Sequence, residues 1–257
     1  MRAEPADNNL DKNLRLDQLL VERKFFATRS RARDAIQRGT VQVDGKIITK
    51  PGQSFTRDVT ISVDDPASRY VSRAALKLVR ALDHFDLDVT GRTALDIGAS
   101  TGGFTQVLLD RGASHVIAID VGHDQLHESL RSDSRVTNKE GINARSLELS
   151  DLDGREVDCI VSDVSFISLK LALPPALAFA QKGAICALLV KPQFEAGREA
   201  IGKGGILRDA SQGERIAEEL ETWLNNLPDW RALGICPSPI EGGDGNREYL
   251  LAGKKDK

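Results

Sequence analysis

The sequence predicts an α/β protein, in which a small α+β domain precedes a Rossmann-like domain built on a mainly parallel sheet with helices on both faces. Two observations carry this prediction. From residue 72 onward, short apolar runs typical of buried strands alternate with helical patterns, as in a parallel sheet covered on both faces. Before residue 65, two short helical segments precede a tight β-hairpin. The 257 residues suffice for one or two domains.

The small domain is expected over residues 14–64, after a loose tail at 1–13 and before a linker at 65–71 that is rich in turn formers. Its expected elements are a short helix from Leu14, a helix from Thr28 to Arg38 that ends at Gly39, strands at 40–43 and 46–49 joined by Asp44-Gly45, and a strand at 59–63. Thr is a favourable helix N-cap, Gly commonly ends a helix, and Asp-Gly is typical of a hairpin turn.

The larger domain is expected over residues 72–257. Its expected helices lie at 72–85, 102–111, 124–131, 169–181 and 211–227, and its expected strands at 93–97, 115–120, 157–162, 184–190, 232–236 and 248–252. The helix at 169–181 contains Pro174-Pro175, which should bend it. This order of elements predicts a sheet whose strands end at one shared edge.

Charge is distributed unevenly along the chain. Residues 12–50 contain ten Lys/Arg and four Asp/Glu, a net charge of +6, whereas the whole chain carries −3. A basic module attached to an acidic body favours nucleic-acid binding, although a solvated helix surface would give the same pattern. The side chains expected to contact RNA phosphates are Arg15, Arg23, Lys24, Arg29, Arg31, Arg33 and Arg38.

Several classes of protein are disfavoured by composition. The longest apolar stretches, at 171–180 and 184–190, fall short of the roughly 18 residues that a membrane helix needs, and the first residues have no apolar segment typical of a secretion signal. Three cysteines without a C-x-x-C pair argue against a disulfide scaffold and fit a cytoplasmic location. Because His123 and His127 form the only histidine pair at helical spacing and no H-E-x-x-H motif accompanies it, no metal site is expected.

A ligand site is predicted after the strand at 93–97. The segment ALDIGASTGGF joins a strand to a helix, and its glycines allow close approach of a ligand to the backbone. Asp120 ends the next strand, where an acid can accept both ribose hydroxyls. An adenosyl ligand is therefore expected, although a tight turn with Asp120 as a helix cap is the alternative. The expected cofactor-binding residues are Asp96, Gly98, Ser100, Thr101, Gly102, Gly103, Phe104, Asp120, Val121, Asn143 and Asp163.

These motifs carry a family resemblance. DIGASTGGFTQVLL resembles the S-adenosylmethionine loop of class I methyltransferases of the FtsJ-like type, and RLDQLLVERKFFATRSRARDAIQRGTVQVDGK resembles a small RNA-binding domain of ribosomal proteins and pseudouridine synthases. With RYVSRAALKL, DVSFISL, LVKPQFEAG and GNREYLL in the same order, residues 12–253 resemble the TlyA family, known both as haemolysins and as rRNA 2′-O-methyltransferases. The sequence departs from the family in SRAALKL, where glycine usually follows the arginine.

The resemblance implies a class I methyltransferase fold with an antiparallel last strand, S-adenosylmethionine as cofactor, and rRNA within ribosomal subunits as substrate. It also implies a catalytic tetrad of Lys77, Asp163, Lys191 and Glu248. A ribose hydroxyl is a poor nucleophile until it loses its proton, and burial beside a second cation can make a lysine basic enough to take it. Lys191 is therefore assigned as the base, Asp163 as its orienting partner near the methyl donor, and Lys77 and Glu248 as groups that tune charge and hold the ribose.

Other functions are left as alternatives. The four charged residues could be unrelated strand-end charges, and the chain could be a membrane-active haemolysin or a non-catalytic RNA-binding assembly factor. Methylation of a base amine is disfavoured because residues 162–166 read SDVSF in place of an [Asp/Asn]-Pro-Pro-aromatic turn. Cys159, Cys186 and Cys236 are interpreted as structural, which disfavours a cysteine nucleophile.

Overall fold

The computed structural model describes residues 13–256, which form two compact units, the first ending at Arg69 and the second beginning at Tyr70. The linker predicted at 65–71 includes the point of this division. Its first residue, Asp65, belongs to the first unit, where its carboxylate accepts two 2.8 Å hydrogen bonds from Nη2 of Arg38. Except for Asn13, the tail predicted at 1–13 lies outside the described residues. Within residues 13–256, the helices are too short or too polar to cross a membrane.

The first unit contains the helices and the hairpin that the sequence predicts. Its elements are β1 (Leu14–Arg15), α1 (Leu16–Glu22), α2 (Arg29–Gln37), β2 (Val41–Val43), β3 (Lys46–Ile47), β4 (Ser54–Phe55) and β5 (Ile61–Val63). Thr28 caps α2 by accepting the backbone N–H of Arg31 at 3.3 Å, and Gly39 follows the helix with a φ of +76°. Strand β2 pairs with β3 and β5, whereas β1 pairs with β4. Strands β1 and β4 are each two residues long, too short to show the alternation of apolar and polar residues by which a strand is predicted.

The second unit alternates strands and helices. Its elements are α3 (Ala75–His84), β6 (Thr93–Ile97), α4 (Gly103–Asp110), β7 (His115–Asp120), α5 (Glu128–Arg131), β8 (Val136–Glu140), β9 (Cys159–Ser162), α6 (Leu169–Ala172), α7 (Pro174–Phe179), β10 (Ile185–Val190), α8 (Pro192–Glu195), α9 (Gln212–Asn225), β11 (Trp230–Pro237) and β12 (Tyr249–Lys255). The seven strands form one sheet in the order β11-β12-β10-β9-β6-β7-β8.

The sheet confirms the predicted fold class. All neighbouring strands from β10 to β8 are parallel, and β12 is antiparallel to both β10 and β11. The chain proceeds outward from β6 through β7 to β8 and then returns to β9 on the other side of β6. Such a reversal opens a crevice at the carboxyl ends of the two central strands, where ligands bind in open α/β sheets.

Both faces of the sheet are buried under helices. In β10, Ile185, Ala187 and Leu189 belong to a core formed with α3, α4 and α5, whereas the intervening residues belong to a core formed with α6, α7 and α9. Successive side chains of a strand point to opposite faces, so this alternation requires apolar residues at every position of β10. The uninterrupted sequence ICALLV is therefore the sequence pattern of a central strand.

One expected helix is short, and an adjacent strand was not predicted. Residues 124–131 were expected to be helical, but α5 begins only at Glu128. Asp124 has a φ of +54°, which a right-handed helix excludes, and the backbone N–H groups at 124–126 donate to the carboxylate of Glu140. Glu140 ends β8, the half-buried edge strand VTNKE, which has no apolar run that would indicate a strand.

Two other helices differ from their predicted bounds, the first at its start and the second in its middle. Helix α3 begins at Ala75 instead of residue 72, because the preceding residues form turns closed by successive i to i−3 backbone hydrogen bonds such as Ala75 N to Ser72 O, 3.2 Å. The helix expected at 169–181 is divided at Leu173 into α6 and α7. Pro174 begins α7, as the missing N–H of proline favours.

A buried ammonium joins β12 to the end of α7. Nζ of Lys255 donates to the carbonyl oxygens of Leu177, Ala178 and Ala180 at 3.1, 3.1 and 2.7 Å. The carbonyls in the last turn of a helix have no partner within that helix, and a cation is favourable there. Lys255 therefore attaches the sheet to a helix on one face.

We expect Lys255→Met to destabilise the larger domain by roughly 2–3 kcal/mol, because it removes the charged donor from three carbonyl oxygens while keeping the side-chain length. The matched control is Lys254→Met, one residue earlier in the same strand and exposed, which should change stability by less than about 0.5 kcal/mol. Urea denaturation of both variants measures the difference. Equal stability of the two variants would contradict a structural role for Lys255.

Candidate active site

The candidate site lies where four parallel strands end. Gly98 follows β6, Asp120 ends β7, Asp163 follows β9 and Lys191 follows β10. Carboxyl ends of parallel strands share one edge of the sheet, so residues far apart in sequence meet there.

The glycine-rich loop after β6 passes close to the loop after β9. A Cβ atom on Gly98 would lie 2.9 Å from the backbone oxygen of Asp163, and Gly98 has a φ of +81°. Gly102 has a φ of +96°, and a Cβ there would lie 2.3 Å from Cδ1 of Leu130. Gly98 therefore satisfies both a steric and a conformational requirement, and Gly102 a conformational one. The predicted approach of a ligand to these glycines stays a prediction.

Asp120 organises the loop backbone. Its Oδ2 accepts the N–H of Ser100 at 2.8 Å, and its Oδ1 accepts the N–H of Gly122 at 2.7 Å. A carboxylate has about four acceptor positions, so two remain for ligand hydroxyls. Asp120 caps no helix, because α5 begins at Glu128 with His127 as its N-cap. The helix-cap alternative is therefore wrong.

Glu140 fixes the neighbouring loop, and sequence reasoning missed it. Its two oxygens accept the backbone N–H groups of Asp124, Gln125 and Leu126 at 2.6, 3.1 and 3.3 Å. These hydrogen bonds, chiefly that of Asp124, lower the pKa of Glu140 to about 2. The carboxylate is thus charged at neutral pH and fixes the position of Gln125, which lines a cavity at this edge of the sheet. An acid at the end of an unrecognised strand gave no sequence signal.

Two adjoining cavities, of about 410 and 200 Å³, lie against these loops and share Gly98, Ser100, Asp163 and Ser165. The larger cavity is lined by Asp120, Val121, Gln125 and Asn143 together with the apolar side chains Ile97, Ile119, Ile142, Ala144, Val164, Phe166, Ile167 and Ala172. The smaller is lined by Thr101, Gly103, Phe104, Lys191 and neighbouring small residues. The site can therefore accept a ligand with a flat apolar part at one end and polar groups at the other.

Two predicted cofactor-binding residues line neither cavity. Gly102 packs beneath the loop, near Leu130. Asp96 is fully buried in β6, where its Oδ2 accepts a 2.6 Å hydrogen bond from the hydroxyl of Thr105. Within the described residues, its Oδ1 has no hydrogen-bond partner. Direct contact of these two residues with a ligand stays a prediction.

Burial raises the pKa of Asp96 to about 7. Removal from water is the largest cause, the hydrogen bond from Thr105 partly opposes it, and the negative charge of Asp163 adds to the rise. A neutral carboxyl is thus favoured in the folded protein up to near-neutral pH.

The stability contribution of Asp96 should therefore depend on pH. Between pH 4 and 7 the folded protein binds more protons at Asp96 than the unfolded chain does, so this group makes the wild type less stable as the pH rises. Asp96→Asn cannot ionise and should become more stable relative to wild type by roughly 2–3 kcal/mol from pH 5 to pH 8, because about two pKa units of the shift are expressed in this range at about 1.4 kcal/mol each.

Urea denaturation at the two pH values measures this difference. Exposed Asp86 has a φ of +51°, a conformation that Asn also accepts, so Asp86→Asn is the matched control and should show no such trend. A pH-independent difference between Asp96→Asn and wild type would contradict the raised pKa of Asp96.

The four predicted catalytic residues form two ion pairs, in which Lys77, Lys191 and Glu248 are buried and Asp163 is partly exposed. Lys191 Nζ lies 2.6 Å from Oδ1 of Asp163, and Lys77 Nζ lies 2.6 Å from Oε2 of Glu248. The first pair lines the smaller cavity. Glu248 borders a separate cavity of about 350 Å³ formed with residues 237–241. The pairings argue against four unrelated strand-end charges, because each residue has a specific partner of opposite charge.

Besides the Lys191–Asp163 pair, further contacts join the segments that follow β9 and β10. Lys191 Nζ donates to Oγ of Ser165 at 2.7 Å, and Glu195 accepts the hydroxyl of Ser168 at 2.5 Å. Between these hydrogen bonds, the rings of Phe166 and Phe194 lie 5.1 Å apart, and Phe166 is 89% exposed. Burial raises the pKa of Glu195. Sequence reasoning missed these contacts, although DVSFISL and LVKPQFEAG contain all six residues.

The cysteines and histidines offer no further reactive group at this site. All three cysteines are free and buried, and burial raises the pKa of Cys159 to about 12, which makes its thiol a poor nucleophile. Within residues 13–256, there is no group of three His, Cys, Asp or Glu side chains that could hold a metal ion.

The predicted RNA-binding side chains fall into two groups. Arg23 donates to the carbonyls of Val59 and Arg57, and Arg38 pairs with Asp34 and Asp65, so these two arginines have partners inside the first unit. The remaining five are Arg15, Lys24, Arg29, Arg31 and Arg33. Arg15 and Arg29 also pair with Asp17, and Arg31 donates to the carbonyl of Ala67, but the side chains of Arg15 and Arg29 stay 46% and 51% exposed. Contact of all seven residues with RNA stays a prediction.

The fold and site together define a Rossmann-like methyltransferase, with one antiparallel strand inserted next to the edge of the sheet and a glycine loop facing a strand-end acid. A family model described as FtsJ-like methyltransferase matches residues 70–255, and one described as S4 domain matches residues 14–61. The 16S/23S rRNA (cytidine-2′-O)-methyltransferase TlyA of Mycobacterium tuberculosis is 43% identical over 93% of this chain and 89% of its own length.

Hemolysin A of Brachyspira hyodysenteriae is 39% identical over 92% of this chain and 98% of its own length. A solved structure from Streptococcus thermophilus, provisionally named a hemolysin, superposes with a TM-score of 0.72 at 40% identity, covering 95% of this chain and 88% of that one. The chain belongs to the TlyA family of FtsJ-like methyltransferases, as the sequence motifs predict.

Proposed function

We propose that this protein transfers a methyl group from S-adenosylmethionine to a ribose 2′-hydroxyl of rRNA within ribosomal subunits. The observation that carries the proposal is the largely buried Lys191–Asp163 ion pair, 2.6 Å long, at the wall of the cavity formed by the glycine loop. Methylation of a hydroxyl requires a group that receives the hydroxyl proton, and Lys191 can receive it once its ammonium group has lost a proton to solvent. The name of the Mycobacterium tuberculosis relative supports rRNA as the substrate.

The residues around the larger cavity fit the cofactor. Asp120 has acceptor positions for the two ribose hydroxyls, and the apolar side chains that include Ile142 and Val164 offer surfaces for an adenine ring. A Cβ at Gly98 would narrow the passage between the two loops. When bound, S-adenosylmethionine supplies a methyl group activated by a positively charged sulfur.

The chain's own residues would then activate the nucleophile. Lys191 first loses one proton of its ammonium group to solvent and then takes the proton of the ribose hydroxyl at Nζ, while Asp163 and Ser165 fix the position of that nitrogen. Lys77 and Glu248 compensate each other's charge. Glu248 borders a cavity separate from that of Lys191, so the role of this pair in holding the target ribose rests on the family resemblance alone. The basic first unit binds the RNA backbone, and such a substrate implies a cytoplasmic location.

The two alternatives make different demands on the protein. A non-catalytic assembly factor would have no need for two specific, largely buried ion pairs at the sheet edge. A membrane-active haemolysin, as the name of the Brachyspira hyodysenteriae relative suggests, would release the contents of liposomes. Liposome leakage without methyl transfer to ribosomal subunits would favour that function over the proposed one.

Asp120→Ala tests the cofactor assignment. The substitution removes the acceptors for ribose hydroxyls and frees the N–H groups of Ser100 and Gly122, so S-adenosylmethionine should bind at least tenfold more weakly, roughly the effect of one lost charged hydrogen bond. RNA affinity should be unchanged, because the basic side chains lie in the first unit. Calorimetric titration with S-adenosylmethionine measures the effect, and wild-type cofactor affinity would overturn the assignment.

Lys191→Ala tests the proposed base. Methyl transfer should fall by roughly 10²–10⁴, the usual cost of losing a general base, while cofactor and RNA affinities stay near wild type. Lys191→Arg should not restore activity, because a guanidinium does not release its proton at accessible pH. Single-turnover methyl transfer at saturating RNA and cofactor measures both variants.

Lys182→Ala is the matched control, since exposed Lys182 precedes β10 whereas Lys191 follows it. This variant should retain full activity. High activity of Lys191→Arg would instead make Lys191 an electrostatic clamp and assign proton removal to Asp163, Glu248 or water.

A further inference from the structure

A fully buried carboxylate lies beneath two half-exposed arginines in the first unit. Asp17, in the first turn of α1, has a side chain that is 0% exposed, whereas those of Arg15 and Arg29 are 46% and 51% exposed. Arg15 donates from Nε and Nη2 to the two carboxylate oxygens at 3.1 and 3.2 Å. Arg29 donates from Nη2 to Oδ2 at 3.0 Å. The two guanidinium groups thus share one oxygen of Asp17.

This arrangement joins three separate segments of the chain. Arg29 is the first residue of α2, while Arg15 and Asp17 flank the start of α1. The backbone N–H of Asp17 donates to Pro51 at 3.1 Å, and a Cβ on Gly52 would lie 3.2 Å from Nη1 of Arg15. The guanidinium of Arg15 therefore rests against a backbone turn as well as against the carboxylate.

Both arginines keep hydrogen-bond donors that face outward. A guanidinium has five N–H donors, of which Arg15 uses two on Asp17 and Arg29 uses one. Burial would raise the pKa of Asp17, but the hydrogen bonds and positive charges of Arg15 and Arg29 together outweigh it and hold that pKa below its ordinary value. The cluster holds two guanidinium cations and one carboxylate, so its net charge is positive. The hydrogen bonds to Asp17 fix the position of that charge before any ligand binds.

We infer that Asp17 is a positioning residue for RNA, which holds Arg15 and Arg29 as a fixed pair for phosphates of the rRNA backbone. This inference rests on the proposed rRNA substrate. Flexible arginine side chains lose conformational freedom when they bind a phosphate, and prior immobilisation reduces that loss. Guanidinium groups suit phosphate because their planar donors match its oxygens.

Asp17→Asn distinguishes positioning from simple electrostatics. The substitution makes the basic unit more positive, so charge alone predicts tighter RNA binding. If Asp17 positions the arginines, binding should weaken roughly tenfold instead, because two side chains must be ordered anew on the RNA. The probe is ribosomal subunits from cells that lack this enzyme, titrated with the full-length protein.

Glu22→Gln is the matched control. It adds the same charge to the same unit, but Glu22 is 48% exposed and pairs with Arg57 at 3.1 Å, away from the Asp17 cluster. Its affinity for the subunits should equal or slightly exceed that of wild type. Equal or tighter binding by Asp17→Asn as well would overturn the inference.

A second comparison separates positioning from loss of folding. In a background of Arg15→Gln and Arg29→Gln, a further Asp17→Asn should cause no further loss of affinity, because the residue would act only through those arginines and its buried charge has no cation left to position. A further loss of affinity in that background would show a general structural role and would overturn the inference. Failure of wild-type protein to bind the subunits would overturn the proposed substrate, a result distinct from either outcome for Asp17.

Discussion

The site depends on one topological constraint, namely that parallel strands end at the same edge of the sheet. The chain leaves β6 in one direction and returns to β9 on its other side, which brings Gly98 and Asp163 into backbone proximity. Asp120 and Lys191 join them from the flanking strands. No local interaction could assemble residues so far apart in sequence, and the glycines are required because the two loops approach each other so closely.

Buried charge at this edge is managed chiefly by pairing. Lys191 with Asp163, and Lys77 with Glu248, each exchange the lost hydration for a close opposite charge. Removing one member of such a pair costs more than the pair contributes, since an uncompensated charge remains buried. In the part of the chain that the structure describes, Asp96 has no cation beside it. Burial instead raises its pKa to about 7 and favours the neutral carboxyl group. The same physical cost of desolvation thus yields ion pairs in one position and a neutral acid in another.

The sequence predicted most of the fold and, within the described residues, most of the polar side chains that line the candidate cavities, for physical reasons. Strands such as β10 are apolar at every position, and turns such as Asp44-Gly45 need particular residues, so both leave local signals. Strand β8 is half-buried and polar, and the loop held by Glu140 depends on backbone donors, which have no sequence signature. The internal partners of Arg23 and Arg38 were equally invisible, because charge alone does not distinguish a phosphate contact from a salt bridge.

The position of β12 has a consequence for the order in which the larger domain folds. Strand β11 precedes β12 in the chain, yet it joins the sheet only through β12. During vectorial synthesis, β10 is therefore completed with an unpaired edge, and β11 emerges before the strand it must pair with. The last step of sheet formation is the insertion of β12 between two waiting edges. Until then, the exposed edge of β10 is open to pairing with other chains, so folding of this half of the sheet is vulnerable to aggregation.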